Sequence, residues 1–267
     1  MSSQRATKWI PVYEPVLGEL EEELVADCVR SGWVSSKGKY VTQFESEFAA
    51  FCGTKHGVAT SNGTTALHLA LLALGVGVGD EIIVPSLTFV ATANAVVHAG
   101  ATPVFADSER LSWNVDPVSV ETMITPRTRG IIAVHLYGHP CDMPAILRLA
   151  TEHGLFVIED CAEAHGATSG ANRVGSMGTI GCFSFYGNKI ITTGEGGMVV
   201  CPDAATKERI DSERNQGRAP DMGWLDHDRL GFNYRLDELS CALGIAQLER
   251  LDELLAGRGR VAALYSE

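Results

Sequence analysis

The sequence predicts an α/β protein in which helices flank a central mixed, mostly parallel sheet. From about residue 57, short apolar runs typical of strands alternate with longer segments that suit crossover helices. Two later strand candidates are joined through the glycine-rich turn TTGEGG, whose short length suits an antiparallel hairpin. The chain has 267 residues, 45% of them hydrophobic, and can therefore bury a substantial core.

The first fifty residues predict an arm and one helix, residues 17–31, which Gly32 ends. A turn around residues 35–39 follows, and we expect this segment to lie on the surface or on a partner. Strands are predicted after it; they span residues 57–60, 81–84, 102–106, 130–135, 155–159, 179–185 and 197–201.

A polar helix through Gln216, an irregular stretch at 218–229 and an amphipathic helix from Asp237 into LERLDELL follow, and we expect Glu267 to lie within another helix. We predict three parts: an N-terminal arm and helix at 1–50, a large α/β domain at 51–240, and the start of an incomplete small domain at 241–267.

Composition narrows the class of function. A net charge of −12 argues against nucleic-acid binding, because the chain has no dense basic face. The N-terminus has no apolar block of the kind a signal peptide needs, and the longest apolar stretch, residues 65–79, is too short to span a bilayer. Seven scattered cysteines without a C-x-x-C pair suggest neither disulfides nor a zinc site. We expect a cytoplasmic protein without a membrane segment.

The segment SNGTTALHLALLAL places a polar turn directly before a helix. Free backbone N–H groups at such a helix start can bind a phosphate without a basic residue. Simple capping by Asn62 or Thr64 is the alternative interpretation.

The segment VIED ends a predicted buried strand with Glu159 and Asp160. Ligands in open α/β sheets lie beyond the carboxyl ends of the strands, so we expect one of these carboxylates to face a site. An acid there could hold a ring nitrogen protonated, bind a sugar or magnesium, or merely cap a turn.

The segment FSFYGNKIITTGEGG delivers Lys189 to a turn crowded with glycine and threonine. A lysine in a partly desolvated site can attack a carbonyl and form a Schiff base, although many turn lysines are simply exposed.

His135 and His139 are four apart, but Gly138 and Pro140 interrupt regular structure between and after them and no third metal ligand is evident. His165 and Arg235 are open to a structural or a functional role.

Six motifs come in one order along the chain: NGTTALHLAL, PSLTFVATANAV, GIIAVHLYG, VIEDCAEAHGA, FSFYGNKIITTGEGG and LGFNYRLDELSCALGIAQLERL. Together they resemble the DegT/DnrJ/EryC1/StrS family of sugar aminotransferases. The resemblance implies the aspartate-aminotransferase-like fold of type I pyridoxal-phosphate (PLP) enzymes, a homodimer with a shared active site, and L-glutamate as the amino donor.

The resemblance also implies catalytic roles. Lys189 would bind the cofactor covalently and then act as general base and acid. Asp160 would pair with the protonated pyridine nitrogen, and Glu163 stands where many members carry glutamine near the phenolic oxygen.

Further cofactor contacts follow from the same resemblance. The amides of Gly63 and Thr64 and the Ser184 hydroxyl would hold the phosphate. Phe89 would lie against the cofactor face, and Asn233 would reach the neighbouring subunit's phosphate.

The substrate implied is a nucleotide-linked 4-keto-6-deoxy sugar, because GNK-x-ITTGEGG looks most like the family's C4 aminotransferases. A C3 aminotransferase is the nearest alternative, and an inositol or shikimate-type keto substrate is a further one. The family's members usually extend beyond the position of Glu267, so a shortened, idle cofactor binder that serves as a partner or regulator also stays open. A magnesium-dependent sugar-nucleotide enzyme would leave the Lys189 motif unexplained.

Overall fold

The computed structural model describes residues 11–219, 223 and 225–267. The helices within these residues are α1 Glu19–Ser31, α2 Lys39–Cys52, α3 Gly63–Ala73, α4 Ala91–His98, α5 Pro117–Thr122, α6 Met143–His153, α7 Ala204–Arg214, α8 Glu238–Glu249 and α9 Leu251–Ser266. The strands are β1 His56–Thr60, β2 Glu81–Pro85, β3 Thr102–Ala106, β4 Thr128–Val134, β5 Phe156–Asp160, β6 Thr168–Ser169, β7 Asn172–Arg173, β8 Ile180–Ser184 and β9 Gly197–Cys201.

The main sheet has seven strands in the order β1-β9-β8-β5-β4-β2-β3. The pairs from β3 through β2, β4 and β5 to β8 are parallel, whereas β9 pairs antiparallel with β8 and β1. The predicted mixed, mostly parallel sheet is therefore confirmed, and so is the hairpin formed by β8 and β9. Every predicted strand is present, with ends that shift by at most two residues.

Helices cover both faces of the sheet because successive strand residues point to opposite sides. Ile132 and Ile158 join an apolar cluster with residues of α3 and α4, whereas Ile131 and Val157 cluster with α5 and α6 on the other face. On that second face, α1, α2 and α8 form a third cluster with β1, β8 and β9.

The helix predicted at residues 17–31 and ended by Gly32 is present as α1, but the prediction that it is the only helix before residue 50 is wrong. Helix α2 lies in the core: Tyr40, Phe44 and Phe48 recur every fourth residue and are buried. The buried carboxylate of Glu238 accepts hydrogen bonds from the Tyr40 and Val41 amides at 2.8 and 3.1 Å. A cap from a residue so distant in sequence leaves no local signal for the helix start.

The amphipathic helix predicted from Asp237 and the further helix expected before Glu267 are present as α8 and α9, but the first ends at Glu249, before LDELL, and the two meet at Arg250. The Arg250 guanidinium bonds Glu21 at 3.0 Å, which fixes the break against α1. The polar helix predicted through Gln216 ends earlier, since Gln216 has a positive φ of 68°.

The division of the chain at residues 50 and 240 stays a prediction; both positions fall within helices, α2 and α8. Among the described residues, no helix is both long and apolar enough to cross a membrane.

Candidate active site

A cleft of about 740 Å³ opens where the carboxyl ends of the parallel strands meet, and its size suits a cofactor or small ligand. Asn62 follows β1, Thr88 follows β2, and Asp160 and Ser184 end β5 and β8. The structure brings together most of the site residues predicted from sequence; those lining the cleft are Gly63, Thr64, Phe89, Asp160, Glu163, Ser184 and Lys189.

The start of α3 forms an anion cradle at one end of this cleft. Asn62 Oδ1 accepts the Thr65 amide at 2.9 Å, so the capping interpretation is correct for Asn62. Capping leaves the Gly63 and Thr64 amides at the helix start, where no intrahelical acceptor exists for them. A Cβ added at Gly63 would lie 2.7 Å from Ser184 Cβ, so only glycine lets the two segments come this close. The cradle can therefore hold a phosphate through backbone amides and the Ser184 hydroxyl.

Asp160 provides a buried carboxylate on the same face of the sheet as α3 and α4. Its Oδ2 accepts the Thr92 hydroxyl at 2.8 Å, and its Oδ1 accepts the Ala162 amide at 3.2 Å. Burial raises the pKa of Asp160, and these hydrogen bonds act against that rise. A positively charged ring N–H beside this carboxylate would relieve the cost of burying its charge.

Glu159 points to the opposite face and is fully buried. One of its oxygens is 3.1 Å from His135 Nε2, and the amides of Gly175, Met177 and Gly178 donate to the carboxylate at 2.6 to 2.9 Å. Burial acts to raise the pKa of Glu159, but the His135 hydrogen bond and these amides outweigh it and hold the pKa below its usual value. Of the two carboxylates in VIED, Asp160 therefore serves the cleft and Glu159 serves the structure.

His135 belongs to this structural network and does not pair with His139. The Cys141 amide donates to His135 Nδ1 at 3.1 Å, so the Nε2 proton faces Glu159. Polar atoms of His135, Glu159 and Cys161 lie within 4.8 Å of one another. Burial raises the pKa of the Cys161 thiol well above its usual value, and the Glu159 oxygens are already bonded by the His135 ring and three backbone amides.

Lys189 lies in the irregular segment between β8 and β9, and its side chain is 17% exposed. Its Nζ is 3.8 Å from Glu163 Oε1, while Glu163 Oε2 accepts the Tyr137 amide at 2.7 Å. Glu163 thus stands between the lysine amine and Tyr137, whose φ of 52° is unusual for a non-glycine residue. The lysine amine, the buried acid and the anion cradle all face one cleft.

Two predicted residues differ from the rest in exposure. Phe89 lines the cleft with a side chain that is 75% exposed. Asn233 is exposed and lies outside the cleft of its own chain, in a short bridge with Asn215. Arg235, which the sequence left open, donates to Asn215 Oδ1 at 2.9 Å.

His165 is buried among aromatic rings; the Phe183 and Phe185 ring centres lie 5.5 and 5.7 Å from its own. Burial lowers its pKa to about 3, so the imidazole is neutral near pH 7. Within the described part of the chain, neither ring nitrogen has a hydrogen-bond partner.

Sequence reasoning missed Thr92, which holds the Asp160 carboxylate from helix α4. It lies four residues after Thr88 in PSLTFVATANAV, and its hydroxyl is 3.5 Å from that of Thr88. Two polar residues one turn apart in an otherwise apolar segment are a weak signal. Their contact with a residue on β5 depends on the packing of α4 over the sheet.

Known proteins similar to this chain in sequence or structure include aminotransferases. Residues 15–267 match the model of the "DegT/DnrJ/EryC1/StrS aminotransferase family". The GDP-perosamine synthase of Caulobacter vibrioides is 49% identical over 258 residues, which cover 97% of this chain and 69% of that protein. The UDP-N-acetyl-3-dehydro-alpha-D-glucosamine 3-aminotransferase of Acidithiobacillus ferrooxidans is 48% identical over 226 residues, 84% of this chain and 60% of that protein.

Among solved structures, the PLP form of the Streptococcus pneumoniae sugar aminotransferase Spr1654 superposes with a TM-score of 0.91 at 28% identity. The match covers 96% of this chain and 70% of that structure. The chain thus spans between about three fifths and seven tenths of the length of these similar proteins.

Proposed function

The chain belongs to the DegT/DnrJ/EryC1/StrS aminotransferase family, and from this premise we propose that it is a PLP-dependent sugar aminotransferase. Its proposed reaction converts a nucleotide-linked 4-keto-6-deoxy sugar into the 4-amino sugar, with L-glutamate as the amino donor. The observation that carries the proposal is the convergence of Lys189, Asp160 and the α3 anion cradle in one cleft.

The residues of the cleft fit pyridoxal phosphate at three separate points. The Gly63 and Thr64 amides and the Ser184 hydroxyl suit its phosphate, and the closeness of Gly63 to Ser184 shapes that end of the cleft. Asp160 suits a protonated ring nitrogen, because a buried carboxylate is stabilised by a cation. Lys189 provides the amine that a covalently bound aldehyde needs.

When bound, this cofactor supplies a carbonyl group for the lysine and a conjugated ring that withdraws electrons from an amino-bearing carbon. The Lys189 amine would bind it covalently and, once released, would carry a proton to and from the substrate carbon. The Asp160 carboxylate would hold the ring nitrogen protonated. Glu163 would hold the Lys189 amine on the cleft side, and Phe89 would cover one face of the ring.

The sugar position rests on relatives of stated activity. The similarity to the Caulobacter GDP-perosamine synthase supports a GDP-linked sugar and amination at C4. The Acidithiobacillus relative, named as a 3-aminotransferase, supports amination at C3 at almost the same identity. The C4 reaction is preferred because the C4-type relative matches 97% of the chain, against 84% for the other.

We also propose a cytoplasmic homodimer with shared active sites. Asn233 is exposed and outside its own cleft, a position from which its side chain could reach the phosphate of a second copy. The seven cysteines are all free thiols, which supports a reducing compartment.

The test is turnover with L-glutamate and a GDP-linked 4-keto-6-deoxy sugar, followed by NMR of the sugar product. We expect one 2-oxoglutarate for each sugar that gains an amine at C4. Turnover only with a 3-keto sugar nucleotide would replace the C4 assignment with the C3 one. Cofactor binding without turnover of either sugar would contradict the proposal in favour of an idle cofactor binder.

A further inference from the structure

The segment before α1, residues 11–18, has no regular secondary structure, yet it is tied to the loop that carries Lys189, directly through Tyr13 and through Gln247 at Val16. We call this segment the N-terminal strap. The Tyr13 hydroxyl donates to the backbone carbonyl oxygen of Lys189 at 2.6 Å. Most of the strap is exposed, but Tyr13 is half-buried.

A second anchor connects the strap to the same loop through Gln247 of α8, which is 2% exposed. The Gln247 side-chain amide donates to the Val16 carbonyl at 3.0 Å, and its Oε1 accepts the Thr192 amide at 3.2 Å. One buried side chain therefore bridges the strap and the loop three residues beyond Lys189.

Helix α9 completes the arrangement around Tyr13. The Arg258 guanidinium lies 5.2 Å from the centre of the Tyr13 ring, within reach of a cation–π interaction. An Arg258 Nη atom is also 3.5 Å from the Lys189 carbonyl oxygen. The Lys189 carbonyl thus accepts from Tyr13, which precedes the first strand of the sheet in sequence, and from Arg258, which follows the last.

These contacts matter because the loop's own hydrogen bonds, such as those from Thr192 and Thr193 to the Phe185 carbonyl, do not reach the Lys189 carbonyl. The Lys189 amide donates to the Tyr186 carbonyl, which closes a local turn, but the Lys189 carbonyl bonds only groups outside the loop among the described residues. The backbone at Lys189 sets the direction of its side chain, and that side chain must reach between Glu163 and the cleft.

We propose that Tyr13 is a positioning residue: the strap fixes the backbone at Lys189 and so directs the lysine amine into the cleft. The proposal rests on the proposed role of Lys189 as the reactive lysine. It predicts that loss of one phenolic oxygen, far away in sequence, changes the reactivity of this amine.

The test compares the wild-type chain with Tyr13→Phe, which removes only the hydroxyl. Tyr265→Phe is the matched control, because Tyr265 is 89% exposed and no hydrogen bond of its hydroxyl is found among the described residues. Four measurements are made: amide hydrogen exchange of residues 186–196, reductive methylation of each lysine in the cofactor-free protein, the rate at which added PLP gives a visible band, and the melting temperature.

In Tyr13→Phe we expect exchange in the loop to become about fivefold faster, as loss of a hydrogen bond of ordinary net strength implies. Methylation of Lys189 should become faster and PLP capture slower by a similar factor, because the amine leaves its partly buried place. Other lysines and the melting temperature should match those of Tyr265→Phe. A general loosening of the fold would instead speed the methylation of several lysines together.

Wild-type rates in Tyr13→Phe for loop exchange, Lys189 methylation and PLP capture would overturn the positioning role. If wild-type protein captures no PLP at Lys189, the proposed function fails. Loop exchange and methylation then still report whether Tyr13 directs the amine.

Discussion

Replacing Thr92 with valine should raise the pKa of Asp160. The Thr92 hydroxyl donates to Asp160 Oδ2 at 2.8 Å inside the protein, where it stabilises the ionised carboxylate. A hydrogen bond to a charged group contributes about 1.5 to 3 kcal/mol, and one pKa unit corresponds to about 1.4 kcal/mol. The substitution should therefore destabilise the ionised carboxylate by an amount in this range and raise the pKa of Asp160 further, on top of the rise that burial already causes.

The pKa is measured by NMR titration of ¹³C-labelled aspartate carboxyl groups in the cofactor-free protein. The Asp160 signal is assigned from its absence in Asp160→Asn. Thr151→Val is the control, because the Thr151 hydroxyl donates to the Leu147 carbonyl on the surface of α6. An Asp160 midpoint that is equal in Thr92→Val and the control would show that the Thr92 hydroxyl does not stabilise the ionised carboxylate.

Three further predictions concern the cleft. Gly63→Ala should weaken PLP binding at least about tenfold in a spectroscopic titration, because the new Cβ would lie 2.7 Å from Ser184 Cβ. The control Gly77→Ala, which has open space around it, should bind PLP as wild type does. Lys189→Ala should abolish covalent capture of PLP while the melting temperature changes by only a few degrees, since a partly exposed loop side chain adds little to the core. Transamination by this variant at the wild-type rate would contradict the role of Lys189 as the reactive lysine. Burial raises the folded-state pKa of Asp160, so its contribution to stability is largest at acidic pH and is lost as pH rises through that pKa. Asp160→Asn should accordingly melt at a higher temperature than wild type near neutral pH, and the difference in melting temperature should shrink as the pH falls. A difference that does not change with pH would count against a buried carboxylate.

The sheet could be predicted from sequence because its signals are local. Apolar strand runs such as residues 102–106 and 197–201 are bounded by turn residues, and the structure places those strands at the predicted residues. The body of helix α2 also carries a local signal, because Tyr40, Phe44 and Phe48 recur every fourth residue, but its start and its burial carry none. Its start is capped by Glu238, and its buried rings pack on Phe183 and Phe185, all of which lie far away in sequence.

The candidate site was predictable where a motif carries the chemistry within a few residues. Lys189 and Asp160 each end a strand or follow one closely, so the direction of the sheet brings them to one edge. The choice between Glu159 and Asp160 needed the strand register, which places the Glu159 side chain among the backbone amides of residues 175–178.

Groups that support the site from a distance could not be inferred from the pattern. Thr92 reaches Asp160 across the contact of α4 with the sheet, and Tyr13 reaches Lys189 across 176 positions of sequence. Neither residue has an unusual sequence neighbourhood. Their positions depend on tertiary packing that no local periodicity encodes.

The most direct test of the proposed chemistry is the visible absorption spectrum of the purified chain with PLP, recorded before and after addition of L-glutamate. We expect a visible band from cofactor bound at Lys189, which glutamate converts to the spectrum of the aminated cofactor. No such band in the wild-type chain, or the same band in Lys189→Ala, would contradict the assignment of Lys189. A band that glutamate leaves unchanged would contradict the proposed amino transfer.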